Sequence, residues 1–92
     1  MEDAGSDAAR RDSPGRKRLV WRARRGTREL DAMFGWWIDQ RLDRVDATTL
    51  AAFDALLDCQ DPDLWDWLMG HAACPRADWQ VIVDDIRAAH RI

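Results

Sequence analysis

Hydrophobic residues recur at helical spacing through most of this 92-residue chain. The clearest run predicts a helix over residues 27–41, in which Gly35 lowers the helix propensity without interrupting the apolar stripe. The members of that stripe follow the i, i+3, i+4, i+7, i+8 pattern of an amphipathic helix and are Leu30, Met33, Phe34, Trp37 and Ile38.

Four further segments have the same spacing, and they predict helices over residues 16–24, 46–58 and 61–70 and from residue 78 onward. No stretch alternates apolar and polar residues for long enough to predict a strand. The residues predicted to face inward on these helices are Leu19, Val20, Ala23, Leu50, Phe53, Leu56, Leu57, Leu64 with Trp67 or Leu68, Trp79, Ile82, Val83 and Ile86. The remaining Trp of residues 61–70 and the Asp side chains beside it are an alternative candidate for part of a partner surface.

Polar and turn residues mark the ends of these segments. Asp46, Asp61 and Asp78 are predicted N-caps, because a short carboxylate side chain accepts the free N–H groups of a first helical turn. Pro62 suits the first helical position, and Gly70 suits the position that follows a helix. Short helices joined by short loops predict an all-α fold, a compact five-helix bundle.

The first fifteen residues contain Gly, Ser, Pro and charged residues without periodicity. They predict a disordered N-terminal tail over residues 1–15, followed by one helical domain over residues 16–92. A core of that size leaves little depth for a catalytic cleft, so the sequence favours a binding surface over an enzyme. Six Trp and no Tyr support this, because so small a body cannot bury six indoles and exposed Trp favours contact sites.

The net charge of −3 conceals an asymmetry. Residues 1–28 hold nine basic and four acidic side chains, a balance of +5, whereas residues 29–92 hold five and thirteen, a balance of −8. A nucleic-acid-binding function would therefore depend on one short basic stretch attached to an acidic body.

The two cysteines, Cys59 and Cys74, are predicted to be free thiols of a cytoplasmic bacterial protein. No signal peptide, membrane-spanning run or acid-poor presequence is recognisable, which underlies that expectation. A metal site built from these cysteines with His71 and His90 is disfavoured, because the spacing matches no paired zinc pattern.

The most unusual feature is the stretch from Arg22 to Glu29, in which four Arg flank Gly26 between two predicted helices. One interpretation is structural: Gly26 breaks the helix, Glu29 caps the next one, and the Arg side chains are solvated. The other is functional. Glycine at a helix start allows close approach of another surface, and arginines with a nearby carboxylate suit docking onto a site that binds anions.

The functional interpretation predicts a partner-binding set on this stretch. No activated nucleophile, phosphate-binding loop or dinucleotide fingerprint accompanies it, so no catalytic, cofactor-binding or metal residue is predicted. The predicted partner-binding residues are Arg24, Arg25, Gly26, Arg28, Glu29 and Asp31.

Taken together, these features resemble the SdhE family of succinate dehydrogenase assembly factors. The resemblance covers about residues 18–87, and it departs from the family where Thr27 stands in place of a common Met and where the tail before Arg16 has no clear counterpart. The matching segments are Trp21-Arg22-Ala23-Arg24-Arg25-Gly26-Thr27-Arg28-Glu29-Leu30-Asp31, Phe53-Asp54-Ala55-Leu56-Leu57 and Asp61-Pro62-Asp63-Leu64 with Trp67-Leu68.

The resemblance implies a five-helix assembly factor that binds the flavoprotein subunit of succinate dehydrogenase, in some relatives also that of fumarate reductase, and promotes covalent attachment of FAD. It implies that the Arg-Gly-x-x-Glu motif, here Arg25, Gly26 and Glu29, is the functional surface. We expect a monomer that holds no FAD tightly and inserts into no membrane. The alternatives are a nucleic-acid-binding helical domain and a generic protein-interaction or regulatory module, both using the Arg-rich stretch.

Overall fold

The computed structural model describes residues 14–92, which form five α-helices and one 3₁₀ turn and contain no β-strand. The predicted all-α, five-helix fold is confirmed. The helices are α1 (Pro14–Arg22), α2 (Arg28–Arg41), α3 (Ala47–Leu56), α4 (Asp61–Leu68) and α5 (Ala77–His90), and the 3₁₀ turn (Leu42–Arg44) extends α2.

The first helix begins two residues earlier than predicted and ends two residues earlier. Pro14 and Gly15 therefore belong to α1 and not to the tail, in keeping with the preference for Pro at a helix start. The remainder of the predicted tail, residues 1–13, lies outside the described residues.

The capping predictions were right at one of three helices. Asp46 caps α3, and its side chain accepts a hydrogen bond from the Thr49 N–H at 2.8 Å. Asp61 and Asp78 lie inside the first turns of α4 and α5, so the N-cap prediction is wrong for both. Each is paired with an arginine instead, Asp61 with Arg25 and Asp78 with Arg76.

The core forms where α5 packs against α2, α3 and α4, while α1 packs against α2. At its centre Trp37 stacks on Phe53 with a centroid distance of 4.1 Å, and Phe34 meets Phe53 edge-on. The buried apolar residues are Leu19, Ala23, Leu30, Met33, Phe34, Trp37, Ile38, Leu42, Ala52, Phe53, Leu56, Leu57, Leu64, Leu68, Ile82, Val83 and Ile86.

The inward-facing predictions hold for most positions and fail at Val20, which is 39% exposed. Trp37 is the one fully buried Trp in the described residues, while Trp65, Trp67 and Trp79 are half-buried against the core. Trp21 is 74% exposed, the largest exposure of any large apolar side chain in residues 14–92. No helix in this part of the chain is long and apolar enough to cross a membrane.

The two cysteine thiols are half-buried and form no disulfide. Burial raises the pKa of both the Cys59 and the Cys74 thiol, and nearby carboxylates of Asp63 and Asp58 raise that of Cys59 further. Because the thiolate is the reactive form, we expect slow alkylation of the native protein at neutral pH.

Thiol titration tests this prediction. Denatured, unreduced protein should show two reactive thiols at once, and native protein should react more slowly at both. Fewer than two thiols after denaturation, or stoichiometric zinc in the purified protein, would contradict the assignment of Cys59 and Cys74 as free and metal-free.

Candidate functional site at the junction of α1 and α2

The first helix is tied to α3 by a row of arginines. Arg18 donates to the Asp54 carboxylate at 2.8 Å. One turn later Arg22 donates to the Asp54 carboxylate, to the Asp54 carbonyl oxygen and to the Asp58 carboxylate. This i, i+4 pair therefore pins one side of α1 to the carboxyl-terminal half of α3.

Arg25 continues the row into the segment between α1 and α2, and its guanidinium donates hydrogen bonds only to other residues of the chain. Its Nε donates to Asp61 at 2.7 Å. Its two terminal nitrogens donate to the carbonyl oxygens of Arg22, Leu57 and Cys59 at 2.8–3.0 Å. Because Leu57 and Cys59 follow α3, Arg25 satisfies carbonyl groups that a helix end leaves without partners. The side chain is only 16% exposed, and it fastens the junction to the start of α4.

Asp31, in the first turn of α2, also holds the segment between α1 and α2 in place. Its carboxylate accepts a hydrogen bond from the backbone N–H of Arg25 at 2.6 Å. Thr27 is the N-cap of α2, which puts Glu29 at the second helical position and not at the third, where a capping-box carboxylate reaches back. Glu29 therefore does not occupy the capping-box position that the structural interpretation of this stretch requires, and Asp31 is the carboxylate that accepts a hydrogen bond across the junction.

Gly26 lies at the apex of the junction with φ +90°, a backbone conformation that residues with a Cβ rarely adopt. A Cβ built there would meet no atom within 4 Å. The turn therefore favours glycine, and the space in front of it is open.

The predicted partner-binding residues thus fall into two groups. Arg25 and Asp31 are half-buried and hold the junction, whereas the others are exposed. The side chains of Glu29, Arg28 and Arg24 make no hydrogen bond or ion pair with another residue of the described part of the chain. The exposed members of the predicted set, together with Thr27 at the N-cap of α2, form a single surface at the start of α2, which we call the junction face: Arg24, Gly26, Thr27, Arg28 and Glu29.

A groove of about 530 Å³ runs from the junction face between α1 and α2. Its floor is built from small residues, Ala23, Ala32 and Gly35, and Val20 of α1 and Arg24, two residues after α1, line its wall on that side. Gly35 therefore opens this groove in the middle of a helix. The sequence carried that signal, since a glycine inside an apolar stripe often marks a close approach of another surface.

The arginine row makes stability depend on pH. Hydrogen bonding from Arg18, then the charge of Arg22, lowers the pKa of the Asp54 carboxylate below its usual 3.8. This stabilisation is complete above the ordinary pKa and is lost as the pH falls through the lowered native value. We predict that Asp54→Asn lowers the melting temperature at pH 7 by about 4 °C and flattens its acid-side decline.

Thermal melts of wild type and Asp54→Asn between pH 2 and pH 7 test this. Asp63→Asn is the control, because Asp63 is an exposed carboxylate on α4 outside the arginine row. Parallel acid-side curves for wild type and Asp54→Asn would show that the row contributes nothing to pH dependence.

Comparison with known proteins identifies the family. The family model described as "Flavinator of succinate dehydrogenase" matches residues 17–90. The chain belongs to this family. The match includes all five helices apart from the first three residues of α1, and it includes the whole junction face.

Three relatives of the flavinator family show how far the likeness extends, and each is named "FAD assembly factor SdhE". The Legionella pneumophila (strain Lens) protein is 42% identical over 76 residues, covering 83% of this chain and 95% of its own. The Xylella fastidiosa (strain 9a5c) protein is 39% identical over 71 residues, covering 77% and 73%. The Shewanella oneidensis protein is 36% identical over 70 residues, covering 76% and 85%.

These matches confirm the resemblance drawn from the Arg-Gly-x-x-Glu and Asp-Pro-Asp-Leu segments. Members of the flavinator family are named as assembly factors, so the chain is an assembly factor and not an enzyme. The residues that sequence reasoning missed are the acidic partners of the arginine row, Asp54, Asp58 and Asp61. The exposed Trp21 was also missed as a separate element of the surface.

Proposed function

We propose that this chain binds the flavoprotein subunit of succinate dehydrogenase through the junction face and promotes covalent attachment of FAD to that subunit. Relatives named FAD assembly factors and a family described as flavinators support the reaction. The fumarate reductase flavoprotein is a second target under the same proposal. The chain acts as a monomer in the bacterial cytoplasm.

The observation that carries the proposal is the position of Glu29. This carboxylate lies exposed in the first turn of α2 and makes no hydrogen bond to the chain that carries it. Its neighbours Arg25 and Asp31 are held by intrachain hydrogen bonds, so the backbone that presents Glu29 is fixed. A rigid support under an unpaired charge is the arrangement expected of a contact made with another molecule.

The mechanism requires no catalytic group on this chain. A factor that binds one conformer of its partner more tightly than another shifts the partner toward that conformer. Here the favoured conformer of the flavoprotein subunit is the one that holds the flavin and the acceptor side chain in bonding geometry. Such positioning alone accelerates a reaction strongly. Gly26 permits close approach, while Arg24, Arg28 and Glu29 provide charged contacts.

FAD is the cargo of the reaction and is held by the partner. The sequence contains no dinucleotide fingerprint, and of the Arg side chains nearest the turn, Arg25 is paired within the chain while Arg24 and Arg28 are exposed. We predict that the purified protein shows no flavin absorption in the visible range. A yellow protein with one flavin per chain would contradict this part of the proposal.

The structure weakens the nucleic-acid alternative. Of the four arginines in the Arg22–Arg28 stretch, Arg22 and Arg25 are paired with carboxylates inside the chain. Only Arg24 and Arg28 remain exposed, beside the free carboxylate of Glu29. Two cations next to an anion give little attraction for a phosphate backbone.

Complementation tests the proposal. Bacterial cells that lack their own factor are given this chain or an empty vector, and covalent flavin on the succinate dehydrogenase flavoprotein subunit is measured by fluorescence after denaturing electrophoresis. We expect flavinylated subunit with the chain and little without it. Equal flavin in both strains would refute the proposed function.

A further inference from the structure

The first helix presents three sides with three different environments. Leu19 and Ala23 enter the core, and Arg18 and Arg22 pair with α3. The third side faces away from the body of the protein and carries three residues at i, i+3 and i+4, and Arg24, two residues after the end of α1, lines the same recess as these three. We call this set the outer stripe, and it consists of Lys17, Val20, Trp21 and Arg24.

The outer stripe exposes more apolar surface than a solvated helix requires. Trp21 is 74% exposed and Val20 is 39% exposed, side by side on an otherwise charged helix. Exposed Trp is the residue type most enriched among positions that dominate binding energy, because it buries a large apolar area with a single polar N–H. Burial among residues 14–92 does not explain Trp21, whose indole is available for a contact with another molecule.

The outer stripe is continuous with the junction face. A shallow recess of about 190 Å³ is lined by Lys17, Val20, Trp21 and Arg24 together with Arg16. Val20 and Arg24 also line the groove between α1 and α2. Since Arg24 belongs to both surfaces, one partner can cover the junction face and the outer stripe together.

The charges of the outer stripe define the chemistry of its occupant. Lys17 and Arg24 flank the apolar pair, are exposed, and form no ion pair within the described residues. A second copy of the chain placed stripe against stripe would oppose these cations to their own copies, because a two-fold interface pairs each patch with itself. The complementary surface is an apolar recess bordered by carboxylates.

We propose that the outer stripe is the second half of the docking surface, and that Trp21 anchors it in a carboxylate-bordered apolar recess of the flavoprotein subunit. This inference rests on the proposed function. It adds a contact of a different kind, since the junction face contributes charge and close approach while the outer stripe contributes apolar burial.

Binding measurements with purified proteins test the inference. The full chain is titrated against the flavoprotein subunit prepared without covalent FAD, and Kd is measured by calorimetry. Trp21→Ala should weaken binding by about 10- to 100-fold, and Trp21→Phe by less, because a smaller ring keeps part of the apolar contact. Val81→Ala is the matched control, since Val81 is 67% exposed on α5 and lines none of these recesses.

A second pair of variants tests the charge complementarity. Lys17→Glu should weaken binding about 5- to 50-fold, with the loss smaller at high salt. Arg44→Glu makes the same charge change at an exposed position outside both surfaces and should leave Kd within about twofold. Melting temperatures of all variants should match that of wild type, because none of these side chains has an intrachain polar partner in residues 14–92.

The outcomes separate this inference from the proposed function. If wild type binds, Glu29→Ala weakens binding and Trp21→Ala does not, the outer stripe is not an anchor and the proposed function stands. If wild type fails to bind the flavoprotein subunit, both are overturned. Self-association of wild type that Trp21→Ala abolishes, with flavoprotein binding unchanged, would assign the stripe to a second copy and overturn the inference.

Discussion

Replacing Arg25 by alanine is expected to destabilise the isolated protein by about 2–4 kcal/mol. Four side-chain hydrogen bonds disappear together, and the Asp61 carboxylate and the carbonyl oxygens of Leu57 and Cys59 lose their donor. The loss is large because these acceptors are half-buried at the meeting point of three segments. For a domain of this size the melting temperature should fall by at least about 10 °C.

Arg24→Ala is the control for this prediction. Arg24 is the adjacent arginine, it is exposed, and its side chain makes no hydrogen bond or ion pair to the rest of residues 14–92. Its removal should change stability by less than about 0.5 kcal/mol. Arg25→Lys should fall between the two, because lysine keeps the charge but cannot reach several acceptors from one planar group. Similar melting temperatures for Arg25→Ala and Arg24→Ala would contradict the clamp role of Arg25.

The opposite combination is expected at Glu29 and Gly26, where function should be lost while the fold survives. Glu29→Ala removes a charge-assisted contact worth about 1.5–3 kcal/mol in the complex, which weakens the affinity for the partner by about 10-fold or more. In cells lacking their own factor, covalent flavin on the flavoprotein subunit should drop to near the level of the empty vector. The melting temperature of the variant should remain within a few degrees of wild type.

Asp63→Ala is the matched control for Glu29→Ala. Asp63 is also an exposed carboxylate in the first turn of a helix, so both substitutions remove the same favourable interaction with a helix dipole, about 0.3–1 kcal/mol. Only Glu29 belongs to the junction face. Loss of flavinylation with both variants would indicate a general effect of charge or stability and not a contact made by Glu29.

Gly26 requires a control for backbone strain. Any side chain at φ +90° strains the turn, so Gly26→Arg alone does not separate strain from steric blocking. Gly26→Asn is the least strained comparison, because Asn tolerates positive φ better than most residues. Both variants should fold, since a Cβ at this position meets no neighbour. We expect Gly26→Arg to abolish flavinylation and Gly26→Asn to retain more of it.

The helices were predictable because their apolar stripes are local. The spacing from Leu30 to Ile38 fixes both the existence and the buried face of α2, and every member of that stripe is buried. The buried face of α1 is harder to predict. Apolar residues lie on two sides of it, Leu19 and Ala23 on one and Val20 and Trp21 on the other. A helix of nine residues has too few positions to show which pair faces the core. In the structure Leu19 and Ala23 are buried in the core, and Val20 and Trp21 are exposed to solvent.

The sequence does not predict which arginines of the Arg-rich stretch pair within the chain and which are exposed. The acidic partners of Arg22 and Arg25 are 32–36 positions away in the chain, and they come into reach only after α1 has packed beside α3. The local sequence pattern therefore marks the whole stretch as unusual, but it does not show which arginine side chains are buried in intrachain pairs and which are exposed. The same long-range pairing accounts for the failed cap at Asp61, whose carboxylate faces Arg25 and not its own helix.

Reconstitution from purified components tests whether this chain promotes flavinylation of the flavoprotein subunit. The flavoprotein subunit of succinate dehydrogenase, prepared without covalent FAD, is incubated with FAD and a dicarboxylate, alone, with this chain, or with Glu29→Ala. Covalent flavin is followed by fluorescence after denaturation. We predict that the chain increases the rate of covalent attachment substantially and that Glu29→Ala does not. Attachment at the same rate with and without the chain would contradict the claim that this protein promotes flavinylation.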